Sequence, residues 1–108
     1  MGRGPRRVNR ETYMAHYAIF DVTITDLEKY KEYMLKVKPV IEAAGGRYLV
    51  RGGAHKVHEG DWHPTRLVVI EFPSAEAMQS FYVSPEYRAL KAIREACSRG
   101  NLVSVEGA

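Results

Sequence analysis

Asp21, Arg51 and Glu71 are the side chains whose types and spacing could do chemistry. They lie in three separate segments rich in β-branched and aromatic residues, 16–23, 47–51 and 66–72. Side chains alternate between faces along an extended strand. Asp21 therefore shares a face with Tyr17 and Ile19, Arg51 with Leu49, and Glu71 with Leu67 and Val69. With the first strand beside the third and the third beside the second, the three charges occupy adjacent rows near one end of a cleft. A guanidinium can clamp an oxygen pair with two parallel hydrogen bonds, leaving one carboxylate to accept a proton. The functional reading is a small-molecule site in which Asp21 or Glu71 is catalytic. Arg51 binds an anionic or carbonyl oxygen there, and Tyr17 and Trp62 complete the binding set. The competing reading is an internal ion-pair network with no ligand.

Other chemistry-bearing residues point to structure. His55, His58 and His63 lack a ligand spacing such as H-E-x-x-H, so no metal is expected. His16 opens the first strand and reads as a surface strand end. Cys97 falls on an apolar helical stripe with nothing nearby to lower its pKa, and reads as a small buried hydrophobe. Tyr30, Tyr33, Tyr82 and Tyr87 recur at core-facing helical spacing. Trp62, in Gly60-Asp61-Trp62-His63-Pro64, stands at a loop tip and has to cover its own loop or a partner's cleft.

The elements that must position these residues follow from periodicity. His16–Thr23 is a strand with Ala18, Phe20 and Val22 on one face. Thr25-Asp26-Leu27-Glu28 matches a capping box. Leu27, Tyr30, Met34, Val37, Ile41 and Ala44 then repeat at helical spacing up to Gly45-Gly46. Pro39 is expected to kink this helix or restart it. Arg47–Arg51 is the second strand, and residues 54–65 form a hairpin-like excursion. Arg66–Phe72 is the third and most apolar strand. Ser74 caps a short helix carrying Met78, Phe81 and Tyr82, and Ser84-Pro85-Glu86 starts another. Tyr87, Leu90, Ile93 and Cys97 continue its buried stripe until Gly100, and Leu102–Val105 is the last strand. The order β-α-β-β-α-β is the ferredoxin-like α+β arrangement, a four-stranded antiparallel sheet with its helices on one face.

Composition bounds the function. The chain has 108 residues, 45% hydrophobic and 27% charged, which fits one globular domain. No apolar run approaches the roughly 20 residues of a membrane span. Lacking a signal-like opening and a second cysteine, the chain is expected in the cytoplasm. Its net charge of +3 is carried by residues 1–14, where Arg3, Arg6, Arg7 and Arg10 face Glu11 alone. This segment reads as a basic N-terminal extension on a neutral domain of residues 15–108, so no nucleic-acid face is expected.

The helix-facing set is Ala18, Phe20, Val22, Tyr48, Val50, Val68, Ile70, Phe72, Val103 and Val105. The other face carries Tyr17, Ile19, Leu49, Leu67, Val69 and Leu102, too many large apolar groups for bulk water. A homodimer packing two such faces together is expected, each buried Leu or Ile contributing about 1.5–3 kcal/mol of transfer free energy.

Four separated segments together resemble one family. They are Gly45-Gly46-Arg47-Tyr48-Leu49-Val50-Arg51-Gly52-Gly53, Glu59-Gly60-Asp61-Trp62, Glu71-Phe72-Pro73-Ser74 and Phe81-Tyr82-Val83-Ser84-Pro85-Glu86-Tyr87. In this order they are similar to the bacterial domain of unknown function 1330, within the dimeric α/β-barrel superfamily. The resemblance runs from about Ala15 to Glu106. It implies the ferredoxin-like fold and the dimer, and it brings no established reaction. Fold relatives include cofactor-independent monooxygenases, haem-degrading monooxygenases, muconolactone isomerases and stress-responsive proteins. No haem-ligand pattern appears here, and no cofactor is expected. The expected function is an unknown small molecule bound in a cleft of the barrel, with monooxygenase- or isomerase-like catalysis. The alternative is a non-catalytic ligand-binding or stress-responsive module.

Overall fold

The computed structural model describes residues 14–108; the basic extension, apart from Met14, lies outside the described residues. The elements are β1 (His16–Ile24), α1 (Leu27–Ala43), β2 (Arg47–Arg51), β3 (Leu67–Phe72), α2 (Ala75–Tyr82), α3 (Pro85–Cys97) and β4 (Ser98–Glu106). The strands form one antiparallel sheet in the order β2-β3-β1-β4. This is the ferredoxin-like α+β arrangement, with β1 beside β3 and β3 beside β2 as the sequence predicts. No helix among the described residues is long and apolar enough to cross a membrane.

The core lies between one sheet face and the helices. Ala18, Phe20 and Val22 of β1 and Val68, Ile70 and Phe72 of β3 are buried against Tyr30, Tyr33, Val37 and Ile41 of α1. Tyr87, Leu90 and Cys97 of α3 and Met78 and Phe81 of α2 complete it. The Cys97 carbonyl accepts the Thr25 and Asp26 amides at 2.8 and 3.1 Å, which ties the end of β1 to the end of α3.

Several local expectations are corrected. The α1 cap is Asp26, whose carboxylate accepts the Lys29 amide, so the capping box at Thr25 is not the one used. Leu27 consequently begins the helix on its exposed side, and Tyr33 takes a buried place in the stripe. Pro39 does not restart the helix, which runs from Leu27 to Ala43 with the proline inside it. The i−4 carbonyl that its ring deprives of a partner belongs to Leu35, on the exposed side where water can bond it. Gly45, at φ 85°, closes the helix, its amide bonding the Glu42 carbonyl at 3.0 Å.

The largest correction is the phase of β4. Helix α3 ends at Cys97 rather than near Gly100, and the strand begins at once. The register pairs Phe20 with Leu102, Ile19 with Val103 and Tyr17 with Val105. Leu102 therefore packs against the core, whereas Val103 and Val105 lie on the outer face and are exposed. A strand phase is set by where pairing starts, and one residue inverts every side chain.

Candidate functional site

The structure separates the predicted charged triad. A bulge between Tyr48 and Val50 shifts the β2–β3 register, so Tyr48 faces Ile70, Val50 faces Val69 and Arg51 faces Val68. Val50 is thereby moved to the outer face and Arg51 to the helix face. The Arg51 Nη2 donates to the Met34 carbonyl of α1 at 2.9 Å, and its Cζ lies 4.3 Å from the centre of the Tyr48 ring. Asp21 and Glu71 remain on the outer face. Asp21 pairs with Leu67 and Glu71 with Tyr17, so the two carboxylates are four rungs, about 13 Å, apart along β1. Asp21, Arg51 and Glu71 do not converge.

Each carboxylate instead has its own partners. Asp21 accepts the Trp62 indole N–H and the Thr65 amide, both at 2.9 Å. These hydrogen bonds, that of Trp62 foremost, hold its carboxyl below the usual carboxylate range. Trp62 thus covers part of its own excursion, pinning residues 52–66 back to β1, while most of its ring stays exposed. His55 supports the same turn by bonding the Pro64 carbonyl at 2.8 Å. At the other end, Arg47 Nε donates to Glu71 at 2.6 Å, and the Tyr17 hydroxyl donates to the same carboxylate at 3.5 Å. Tyr17 and Glu71 are brought together, as are Asp21 and Trp62, but the two pairs are separate. Among the described residues, no three His, Cys, Asp or Glu side chains converge as metal ligands would.

A different constellation occupies the space between sheet and helices. Phe20, Tyr30, Tyr33, Phe81 and Tyr87 wall a partly open cavity of about 20 Å³, and Arg51, Arg66 and Arg94 also line it. Arg94 of α3 is buried, 8% exposed, with its Cζ 5.6 Å from the Phe20 ring centre. Its Nε and that of Arg66 are shut off from solvent without a hydrogen-bond acceptor. The Tyr33 and Tyr87 hydroxyls bond each other at 3.3 Å. Burial, and then the neighbouring Tyr87 phenol, push the Tyr33 phenol far above its ordinary range, so it stays protonated. Among the described residues, no Asp, Glu or His lines the cavity.

Met34, Arg51 and Arg66 line both this cavity and a neighbouring groove. The Arg66 Nη2 donates to the Met34 Sδ at 3.3 Å and Arg51 grips the Met34 carbonyl, so the two arginines straddle one α1 residue. The groove is open, about 480 Å³, and is lined by Lys31, Met34, Leu35, Lys38, Arg51 and Arg66. Arg66 and Arg94 are the residues that sequence reasoning missed. The signal for Arg94 was present, because it stands seven residues after Tyr87 and completes the 87, 90, 94, 97 helical stripe.

The comparisons with known proteins agree with this fold. The family model for the domain of unknown function DUF1330 matches residues 15–108. The chain belongs to the DUF1330 family. Among solved structures it is similar to RPA0582, a protein of unknown function from Rhodopseudomonas palustris. That structure is 19% identical, with a TM-score of 0.71, covering 98% of this chain and 93% of the other. The methylated form of RPA0582 gives a TM-score of 0.74 at 19% identity, covering 98% and 91%. No curated protein matches the chain. At 19% identity the likeness to RPA0582 extends to the fold alone.

Proposed function

We propose that this DUF1330 protein is a cytoplasmic, homodimeric small-molecule-binding module, with its ligand in the cleft between the sheet and the helices. The observation that carries this reading is the cavity itself, aromatic-walled, edged by three arginines and sharing Met34, Arg51 and Arg66 with an open groove. Binding sites are typically apolar concavities with a few convergent polar groups. Arg51 keeps the ligand-binding role expected of it, now from the helix face. Asp21 and Glu71, expected to handle a proton, serve structure by holding Trp62 and Arg47. With no Asp, Glu or His of the described residues on the cavity wall, acid–base catalysis lacks a carboxylate or imidazole proton acceptor there. That favours the non-catalytic reading over the enzyme.

The dimer half of the proposal rests on the outer face. The β4 phase adds Val103 and Val105 to Leu49, Val50 and Trp62, all exposed, beside half-buried Ile19 and Val69. A second copy covering this face removes a patch that water solvates poorly. Sedimentation equilibrium at micromolar concentration should give twice 12.2 kDa; a folded monomer throughout removes the dimer. For the ligand, a fragment screen by protein-observed NMR should shift Tyr30, Tyr33 and Tyr87 resonances together. Hits confined to the outer face would sink the cleft reading.

A further inference from the structure

We infer that the ligand of this cleft is a small organic carboxylate whose anionic head is taken by Arg94. The inference rests on the small-molecule reading above and adds the ligand's charge and orientation. Its basis is a count of donors and acceptors. Around the cavity stand the Arg94 guanidinium, the buried Arg66 Nε and the rim guanidinium of Arg51. Among the described residues, none of these three arginines has an ion pair, and Arg94 makes no side-chain hydrogen bond at all. The Tyr33–Tyr87 pair adds another donor, because two hydroxyls sharing one hydrogen bond leave one O–H proton uncommitted. Donors exceed acceptors among the described residues, and none of their carboxylates lines the wall.

Burying a guanidinium without a counter-charge is costly, and native structures pair such groups. The Phe20 ring face offers Arg94 only part of that compensation. An acceptor-only group fits what the wall lacks, and a carboxylate oxygen brings both the acceptor and the counter-charge. Size then orients the ligand. A cavity of about 20 Å³ has room for about one water, so one carboxylate oxygen enters and the body does not. The body lies past Met34 in the 480 Å³ groove, against Met34 and Leu35, with Arg51 and Arg66 closing on it. A water bonded to Arg94 accepts at most two of its five N–H donors and leaves its charge unpaired.

The test uses thermal shifts and NMR titrations of the full chain at constant ionic strength. The probes are butyrate and benzoate, each beside its neutral amide, butyramide and benzamide. A carboxylate should saturate and raise the melting temperature, as any ligand selective for the folded state does, and should bind at least tenfold more tightly than its amide. Arg94→Met should fold, because no carboxylate loses its cation, and should abolish the carboxylate response. Lys56→Met, on the exposed excursion and outside both the cavity and the groove, should retain it. Amides binding as tightly as acids would overturn the charge assignment and leave the small-molecule reading standing. Neither class binding overturns both. A carboxylate response equal in wild type and Arg94→Met assigns binding to the outer groove and overturns the role of Arg94.

Discussion

The Arg51 guanidinium stacks over the Tyr48 ring, its Cζ 4.3 Å from the ring centre, although the two residues are three apart in one strand. In a regular strand that spacing puts side chains on opposite faces. The bulge between Tyr48 and Val50 brings them to the same one. It turns Arg51 from the outer face to the rim of the cavity, where its partners are an aromatic ring and a helix carbonyl.

Arg51→Ala should therefore cost little stability. An exposed cation–π contact contributes about 0.5–1 kcal/mol, and no buried carboxylate is left behind. Urea denaturation should place the loss below about 1 kcal/mol. A loss of about 3–5 kcal/mol, the range for breaking a buried ion pair, would restore the Asp21–Arg51–Glu71 network and contradict the bulge.

Trp62→Phe should make stability less sensitive to acid. The Trp62 and Thr65 hydrogen bonds lower the Asp21 pKa in the folded state. A lowered carboxylate pKa adds stability that is complete above the unfolded value, about 3.9, and is lost as pH falls through the folded value. Removing the indole N–H should cost about 0.5–1 kcal/mol near pH 7, and the gap to wild type should close below about pH 4. An NMR titration of the Asp21 carboxyl should show its pKa rising in the variant. A gap independent of pH would mean that ring packing, not the hydrogen bond, is what Trp62 supplies.

What was legible in the sequence followed alternation and spacing. Ala18, Phe20 and Val22, with Val68, Ile70 and Phe72, are strict alternations flanked by turns, and their faces and strand order are as read. The failures come where a single residue resets a phase. The β2 bulge is invisible in Arg47–Arg51, and the immediate start of β4 after Cys97 inverted Leu102, Val103 and Val105. The candidate site suffered most because it was built on charged residues expected to share a face. Arg94 was passed over because a cation on a buried stripe looks like an interruption, and Ile93 beside it offered an apolar substitute.

Cys97 should react slowly in the native protein. Its side chain is fully buried, and desolvation raises the thiol pKa, reducing the thiolate that attacks. Labelling with a disulfide reagent near pH 8 should be slower than in guanidinium chloride by on the order of 100-fold or more, tracking local opening. Stoichiometric labelling within seconds, without denaturant, would place α3 away from the sheet and undo the cavity wall that carries Arg94.

Gly100→Ala should be the most damaging small change in the sheet. Gly100 pairs with Val22 across the β1–β4 ladder, and a Cβ there would meet the Asp21 carbonyl oxygen and the Val22 Cα. Both are backbone atoms of the central strand, which cannot swing aside as a flexible side chain can. Relief requires β4 to move off β1, at a cost of about 1–3 kcal/mol or more by analogy with overpacked cores. Gly53→Ala is the matched control, since nothing lies within 4 Å of its added Cβ, and it should change stability by less than about 0.5 kcal/mol. Thermal denaturation of the two variants beside wild type compares the same chemical change at a crowded and an open glycine. The register that pairs Ile19 with Val103 requires the large loss at Gly100 alone, and equal melting temperatures for the two variants would refute it. A refuted register would also withdraw Val103 and Val105 from the outer face, and with them part of the surface on which the dimer was proposed.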